Sequence, residues 1–329
     1  MSTQGMETVR VSVVIPVYQG EKTLDALLTE LKALSQLGKT PGGRPFQLLE
    51  VLLVHDAGPD RSDEVIERLA AENPFVKPIW LSRNFGQHPA TLAGMASSAG
   101  DWVATLDEDG QHDPADLPKL LDRALESGAP LVYASPTNPA PHGAFRNLLT
   151  SLAKISSGAI VGNRFVGRFH SFRLVRGDIA RSLAAYCGHG VFLDVALSWV
   201  VSQTERCPVA MRSERGRPSG YSLAGLMTHF WRLILTAGTR PLRLISILGT
   251  LSILAAVGFS IMAVYRRTRH EIPVAGWTST IIAVCFFSGL ILFSLGVIAE
   301  YLGVTLTMAM GKPLYLIVPR PSRRRSPGP

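Results

Sequence analysis

Blocks of apolar residues alternate with amphipathic stretches along the first two-thirds of the chain. Five short apolar runs predict buried strands at Val11–Val17, Leu48–Val54, Val76–Leu81, Trp102–Leu106 and Leu131–Ala134. Between them, Ser62–Glu72 has helical spacing, with Ser62 as the predicted N-cap and Ile66, Leu69 and Ala70 on one face. This order is typical of an α/β fold with a mostly parallel sheet and helices on both faces. After about residue 140 we expect the alternation to fade into a stretch rich in Arg and Gly.

Two longer apolar runs follow, from Leu244 to Tyr265 and from Ile272 to Ala299, and neither contains a charged residue. A bilayer core needs roughly 20 apolar residues in a helix. We therefore predict two transmembrane helices, at about 244–265 and 276–299. Ahead of them, apolar residues at three- and four-residue spacing predict an amphipathic helix at the membrane surface, with a core helix of the soluble domain as the alternative. These residues are Leu223, Leu226, Met227, Phe230 and Ile234.

The pattern divides the chain into four parts. We predict a soluble domain over 1–220, a juxtamembrane helix over 221–242, the two spans within 243–303, and a basic tail over 304–329. The polar segment 1–10 does not resemble a signal peptide. Positive charge is concentrated outside the two spans, whereas their connecting loop holds only Arg266, Arg267 and Arg269. The positive-inside rule then predicts a multi-pass protein of the cytoplasmic membrane, with the soluble domain and both termini in the cytoplasm.

Composition agrees with this division. The chain is 47% hydrophobic and 18% charged with a net charge of +8, which excludes a disordered protein. Its three cysteines form no CxxC pair, so neither a disulfide framework nor a structural zinc site is expected. The basic residues near the spans suit a topology signal better than a nucleic-acid surface, and we expect no nucleic-acid partner.

The candidate chemistry lies at the ends of the predicted strands, where α/β sheets bind ligands. Asp107 and Asp109 follow the fourth strand, and two carboxylates at this spacing can share a hard divalent cation that bridges a diphosphate. Asp113 and Pro114 then predict the cap and first residue of a helix. Acidic residues are common in turns and helix caps, so the Asp107 and Asp109 motif by itself is weak evidence for a metal site. The chain has no GxxxxGK[ST] phosphate-binding loop.

The other strand ends give the motif its context. The segments VSVVIPVYQG, VHDAGPD, LSRNFGQH and DEDGQHDP begin at residues 11, 54, 81 and 107. In this order they resemble the family 2 glycosyltransferases, which have a Rossmann-like GT-A fold. Near the C-terminus, Ala299–Gly303 and Gly311–Tyr315 resemble the polyprenyl-phosphate members of that family. This group includes dolichyl-phosphate mannose synthase and the undecaprenyl-phosphate glucosyl and 4-deoxy-4-formamido-L-arabinose transferases. Ser82–His88 and Thr239–Arg243 are most similar to the arabinose-type enzymes.

The resemblance implies transfer of one sugar from a nucleotide-diphosphate donor, UDP-linked by preference, to an undecaprenyl-type phosphate in the bilayer. It implies Mg²⁺ or Mn²⁺ as cofactor, held by Asp107 and Asp109 with help from Gln111. It assigns Arg146 and Arg215 to the acceptor phosphate and the diphosphate. The implied nucleotide-sugar contacts are Pro16, Tyr18, Glu21, Asp56, Gln111, Ser219 and Tyr221.

Some positions depart from the family pattern. Gly20 stands where a nucleotide-contacting Glu is usual, and neighbouring Glu21 is its candidate replacement. His55 replaces the first Asp of an Asp-Asp pair, and Ser171 replaces a frequent Asp. Pro136 and Gly220 stand for a frequent Arg and Lys. These departures concern sugar recognition and phosphate binding more than the metal site, so they affect the expected donor sugar more than the expected reaction.

Three alternatives remain open. A membrane scaffold or pseudoenzyme would explain the departures from the family pattern. A processive polysaccharide synthase would share the donor site, but such enzymes carry a QxxRW motif that this chain lacks. A channel subunit is disfavoured because neither predicted span contains an internal charge. The sequence leaves open whether the spans assemble into homo-oligomers.

Overall fold

The computed structural model describes residues 7–138, 169–188, 191–212 and 276–320, together with individual residues between 245 and 265. The predicted amphipathic helix over 221–242 lies outside the described residues. So do four predicted site residues: Arg146, Arg215, Ser219 and Tyr221.

One nine-stranded sheet forms the centre of the fold in the described residues. Its strands are β1 (Val9–Val17), β2 (Gly38–Lys39), β3 (Pro45–His55), β4 (Val76–Leu81), β5 (Trp102–Thr105), β6 (Leu131–Pro136), β7 (Arg173–Arg176), β8 (Glu205–Val209) and β9 (Ile317–Val318). The order is β8-β6-β7-β5-β1-β3-β4-β9, with β2 paired to β3. Strands β5, β1, β3 and β4 are parallel neighbours, so their carboxyl ends meet at one edge. The predicted mostly parallel α/β fold is confirmed.

Helices cover both faces of the sheet. They are α1 (Leu24–Lys32), α2 (Ser62–Glu72), α3 (Gln87–Ser97), α4 (Leu117–Ser127), α5 (Gly177–Tyr186), α6 (Leu193–Val200) and α7 (Trp277–Ala309). Alternate residues of β1 face opposite sides: Val13 and Ile15 pack with α1, α2 and α4, whereas Val14 packs with α3, α5 and α6. The continuous apolar runs therefore reflect strands that are buried on both faces.

The start of α2 differs from the prediction, although its bounds agree. Ser62 is the first helical residue and makes no cap hydrogen bond. Its hydroxyl instead accepts a hydrogen bond from the backbone N–H of Gly20 at 2.8 Å and donates one to Asp60 at 2.5 Å. Ile66 and Leu69 are buried as expected, and Ala70 packs against the same core. Asp113 caps a short 3-10 turn, Pro114–Asp116, that leads into α4.

The expectation that strands and helices fade after residue 140 was wrong. Strand β7 inserts between β5 and β6 and is antiparallel to both, and β8 pairs in parallel with β6. Helices α5 and α6 cover the face that α3 shares. The two strands escaped prediction because they are short and carry charged residues, as in Arg173–Arg176.

The C-terminal part combines a long apolar helix with a return to the sheet. Within the described residues, one helix is long and apolar enough to cross a membrane, over Phe286–Ala309. Helix α7 continues beyond the apolar run, through Glu300 to Ala309. After it, β9 pairs antiparallel with β4, so part of the predicted basic tail is an edge strand of the central sheet. Arg320 follows β9 and forms ion pairs with Asp63 and Glu67 of α2.

Candidate active site

Four loops meet at the carboxyl ends of β1, β3, β4 and β5. Asp56, directly after β3, joins three of them. Its side chain is 3% exposed and accepts hydrogen bonds from the backbone N–H groups of Phe85 and Gly86, each at 2.7 Å. Its own N–H donates to the carbonyl of Val17 at 2.8 Å. Burial raises the pKa of Asp56, while the two amide hydrogen bonds act in the opposite direction.

Asp107 lies two residues after the end of β5, where the chain leaves the sheet. The Gln87 side-chain amide donates to one carboxylate oxygen and the Ser171 hydroxyl to the other, both at 2.5 Å. The backbone N–H of Asp107 donates to Nδ1 of His112 at 3.3 Å. Burial raises the pKa of the Asp107 carboxyl, and the Ser171 hydrogen bond is the largest opposing effect. Ser171, which stands where the resemblance places a frequent Asp, thus donates a hydrogen bond to a carboxylate of the acidic motif.

Two histidines lie beside Asp107: His112 is buried and His170 is partly buried. The rings of His112 and His170 lie 5.3 Å apart. Burial lowers the pKa of each to about 4. A neutral His112 agrees with its accepting a hydrogen bond at Nδ1, because a protonated imidazole has no acceptor there. Behind them, buried Arg173 is ion-paired with Asp194.

Glu108 points away from its two neighbours toward the loop after β1. Its carboxylate accepts hydrogen bonds from the backbone N–H groups of Tyr18 at 3.0 Å and Gln19 at 3.1 Å. Burial raises the pKa of Glu108 to about 7, against these two hydrogen bonds. Sequence reasoning assigned Glu108 no role. Its only signal was its place between the two candidate metal ligands.

Asp109 and Gln111 lie together at the outer end of the acidic motif. The backbone N–H of Gln111 donates to a carboxylate oxygen of Asp109 at 3.0 Å. Burial raises the pKa of Asp109. Within the described residues, none of the three carboxyl groups of the motif is ion-paired with Lys or Arg, and no group of three or more His, Cys, Asp or Glu could hold a metal ion by itself.

These observations fit a metal that is shared with a substrate. Carboxyl groups that are costly to ionise suit a divalent cation as their counter-charge. Asp107 and Asp109 supply oxygen ligands of the type that Mg²⁺ and Mn²⁺ prefer. Because the described residues offer so few ligands, a cation held there would need further oxygen ligands from outside these residues.

The remaining predicted contacts line or support the same edge. Pro16 is half-buried within β1, and the Tyr18 side chain is 41% exposed at the rim. Glu21 is turned toward the loop after β3, where its carboxylate accepts a hydrogen bond from the backbone N–H of Arg61 at 3.2 Å. That contact gives Glu21 a structural role between loops. The structure therefore brings the described site residues to one edge of the sheet, as the strand-end argument predicts.

The fold and the acidic strand end define the class of protein. A family model described as Glycosyl transferase family 2 matches residues 12–181, more than half of the chain. The chain belongs to glycosyl transferase family 2 and is a glycosyltransferase.

Similar proteins are named as sugar transferases of undecaprenyl phosphate and of bactoprenol. The undecaprenyl-phosphate 4-deoxy-4-formamido-L-arabinose transferase of Aeromonas hydrophila is 32% identical over 316 residues, covering 93% of this chain and 92% of that protein. The bactoprenol glucosyl transferase of Shigella phage SfX is 26% identical over 324 residues, covering 94% and 99%. The resemblance drawn from the motifs is confirmed.

One solved structure is glucosyl-3-phosphoglycerate synthase from Mycobacterium tuberculosis in complex with Mn²⁺, UDP and glucosyl-3-phosphoglycerate. It aligns over 70% of this chain and 80% of its own, with 16% identity and a TM-score of 0.48. A likeness at this level carries no inference about the present site.

Proposed function

We propose that this protein transfers a single sugar from a nucleotide-diphosphate donor, UDP-linked by preference, to a polyprenyl phosphate such as undecaprenyl phosphate. The observation that carries the proposal is the edge where Asp56, Asp107 and Asp109 meet on a family 2 fold. The names of the relatives supply the acceptor class. The product is a lipid-linked sugar of the cell envelope.

The membrane arrangement is supported by an argument from connectivity. If α7 crosses the bilayer, its two ends lie on opposite sides. The sheet precedes α7, and β9 after it pairs with the same sheet, so the chain must cross once more between residues 212 and 276. The described residues between 245 and 265 are helical, and apolar side chains among them are exposed, such as Leu251 and Leu254.

This connectivity favours the predicted domain organisation. The proposal keeps a catalytic domain over 1–220, a surface helix over 221–242, two spans at about 244–265 and 276–299 within 243–303, and a C-terminal part over 304–329. The catalytic domain and both termini then face the cytoplasm, where nucleotide sugars are made. Whether the spans form homo-oligomers is left to experiment.

In the proposed site, Asp107 and Asp109 would hold Mg²⁺ or Mn²⁺, with Gln111 beside them. When bound, the metal neutralises charge on the departing diphosphate. Arg146 and Arg215 hold the acceptor phosphate and the diphosphate, because the guanidinium fork suits phosphate oxygens. The nucleotide lies against Pro16, Tyr18 and Asp56, with Glu21, Ser219 and Tyr221 at its margin.

The reaction is a single displacement. A lipid phosphate oxygen forms a bond to the anomeric carbon while the bond from that carbon to the diphosphate oxygen breaks, which inverts the anomeric configuration. The phosphate is already ionised near neutral pH, so the attack needs no proton removal by the protein. Positioning and charge neutralisation supply the rate enhancement.

The test uses purified full-length protein in nanodiscs with undecaprenyl phosphate, Mn²⁺ and a panel of radiolabelled UDP- and GDP-sugars. We expect label in the organic phase with one donor, and loss of transfer on adding EDTA. Asp107→Asn should abolish transfer, whereas the control Asp101→Asn, at the opposite end of β5, should retain it. No transfer with any donor would favour the scaffold alternative, and equal activity of the two variants would exclude the metal role of Asp107.

A further inference from the structure

The carboxylate of Glu108 connects two loops that are distant in sequence. Both of its oxygens are used: Oε2 accepts from the backbone N–H of Tyr18 and Oε1 from that of Gln19. The pair of contacts fixes the first turn after β1 against the acidic motif after β5. Glu108 therefore holds a loop of the donor site and is directed away from the proposed metal position.

Gly20 provides the space for this contact. A Cβ atom on Gly20 would lie 2.8 Å from Oε2 of Glu108, 2.9 Å from Cγ of Leu24 and 3.0 Å from Cγ1 of Val17. Leu24 and Val17 are core residues, so they have little room to move. The carboxylate is the neighbour that a side chain at residue 20 would displace. Glycine at 20 and glutamate at 108 thus depend on each other.

We propose that Glu108 is a positioning residue of the donor site, acting through Tyr18 and Gln19, and that Gly20 and Glu108 are a matched pair. The inference rests on the proposed function, since it concerns the same donor site. Residue 20 is also where the resemblance places a nucleotide-contacting carboxylate. In this chain a carboxylate reaches the same loop from residue 108, ninety positions away from Tyr18. The matched pair replaces Glu21, whose carboxylate contacts Arg61, as the compensation for Gly20.

The first experiment measures the loop itself. Backbone hydrogen exchange of full-length protein in nanodiscs, without nucleotide, should show faster exchange in a peptide covering residues 16–21 of Glu108→Ala. Glu108→Gln keeps one acceptor oxygen and should lie between Glu108→Ala and wild type. Glu126→Ala removes an exposed carboxylate from α4 and is the matched control, with no change expected. Unchanged exchange in Glu108→Ala would overturn the proposal.

The second experiment measures coupling between the two residues by calorimetric titration with Mn²⁺ and UDP. Gly20→Ala and Glu108→Ala should each weaken UDP binding by about tenfold, a coupling of the size found between contacting residues. The double variant should lose clearly less than a hundredfold, because both single changes disturb the contact between residues 20 and 108, whereas the contacts of a residue-20 Cβ with Leu24 and Val17 remain. About a hundredfold loss in the double variant would mean independent effects and would overturn the pairing.

Steady-state kinetics separate positioning from general destabilisation. Glu108→Ala should raise KM for the sugar donor by about tenfold with little change in KM for the lipid phosphate. An equal rise in both would indicate a purely structural role and contradict the proposal. If wild-type protein binds neither UDP nor GDP, the proposed function fails. The exchange experiment then still decides whether Glu108 holds the loop.

Discussion

Gly58, in the loop after β3, lies against the backbone of Tyr18 in the loop after β1. The Gly58→Ala substitution would place a Cβ atom 2.6 Å from the carbonyl carbon of Tyr18, and closer still to its oxygen. Carbon atoms in contact lie about 3.5 Å apart, so the carbon contact alone requires the loops after β1 and β3 to separate by about 1 Å, and the closer oxygen requires more. The carbonyl carbon and oxygen of Tyr18 belong to the backbone, so no side-chain rotation relieves the contact.

Two magnitudes follow from that displacement. Overpacking of this kind typically lowers the free energy of unfolding by about 1–3 kcal/mol. A displacement of about 1 Å at a site that positions reactants can lower the rate by roughly a hundredfold. We therefore expect Gly58→Ala to remain folded, to unfold at a lower temperature, and to lose sugar transfer far more than it loses stability.

The assay compares thermal unfolding, UDP binding in the presence of Mn²⁺, and transfer for full-length protein. Gly38→Ala is the matched control, since its Cβ would meet Phe46 at 3.4 Å, an ordinary contact. We expect this control to behave like wild type in binding and transfer. If Gly58→Ala binds UDP and transfers sugar as well as Gly38→Ala does, the loops around Tyr18 do not form the donor site.

Two further predictions concern supports of the site. Ser171→Ala removes a hydrogen-bond donor to Asp107. In calorimetry it should weaken Mn²⁺-dependent UDP binding about tenfold, the lower end of the effect of residues that orient metal ligands. The control Ser97→Ala, whose hydroxyl donates to the Ala93 carbonyl of the same helix, should match wild type. Truncation after Pro313 removes β9 and should lower the unfolding temperature and slow transfer, whereas truncation after Arg320 retains β9 and should not. Equal behaviour of the two truncations in thermal unfolding would show that pairing with β4 contributes no stability.

The departures from the family pattern look different once they are placed in the structure. Ser171 still contacts Asp107, by a hydroxyl donor in place of a carboxylate. Gly20 leaves space that Glu108 uses. His55 is buried against the Trp80 ring, at 5.4 Å between centroids, so it belongs to the sheet edge that Arg320 and β9 cover. These contacts favour an altered but intact donor site over a pseudoenzyme.

Local patterns in the sequence are sufficient to predict the elements that are buried on regular faces. Runs such as Val76–Leu81 are apolar because both faces of the strand are buried, and the spacing of Ile66 and Leu69 fixes the buried face of α2. The order of the strands also predicts that Asp56, Asp107 and Asp109 lie at one edge, because parallel strands end on the same side of a sheet. Charged and short strands such as β7 and β8 lack this pattern, so they were missed.

The side chains that meet across that edge are visible only once the chain is folded. Glu108 contacts Tyr18, and Ser171 contacts Asp107, although each pair is far apart in the chain. Such contacts depend on strand order and on the exact path of loops, which leave no periodic trace in the sequence. The same holds for β9, whose pairing with β4 joins the end of the chain to the sheet. Local pattern fixes where an element lies, whereas the function of a loop residue depends on neighbours that only folding supplies.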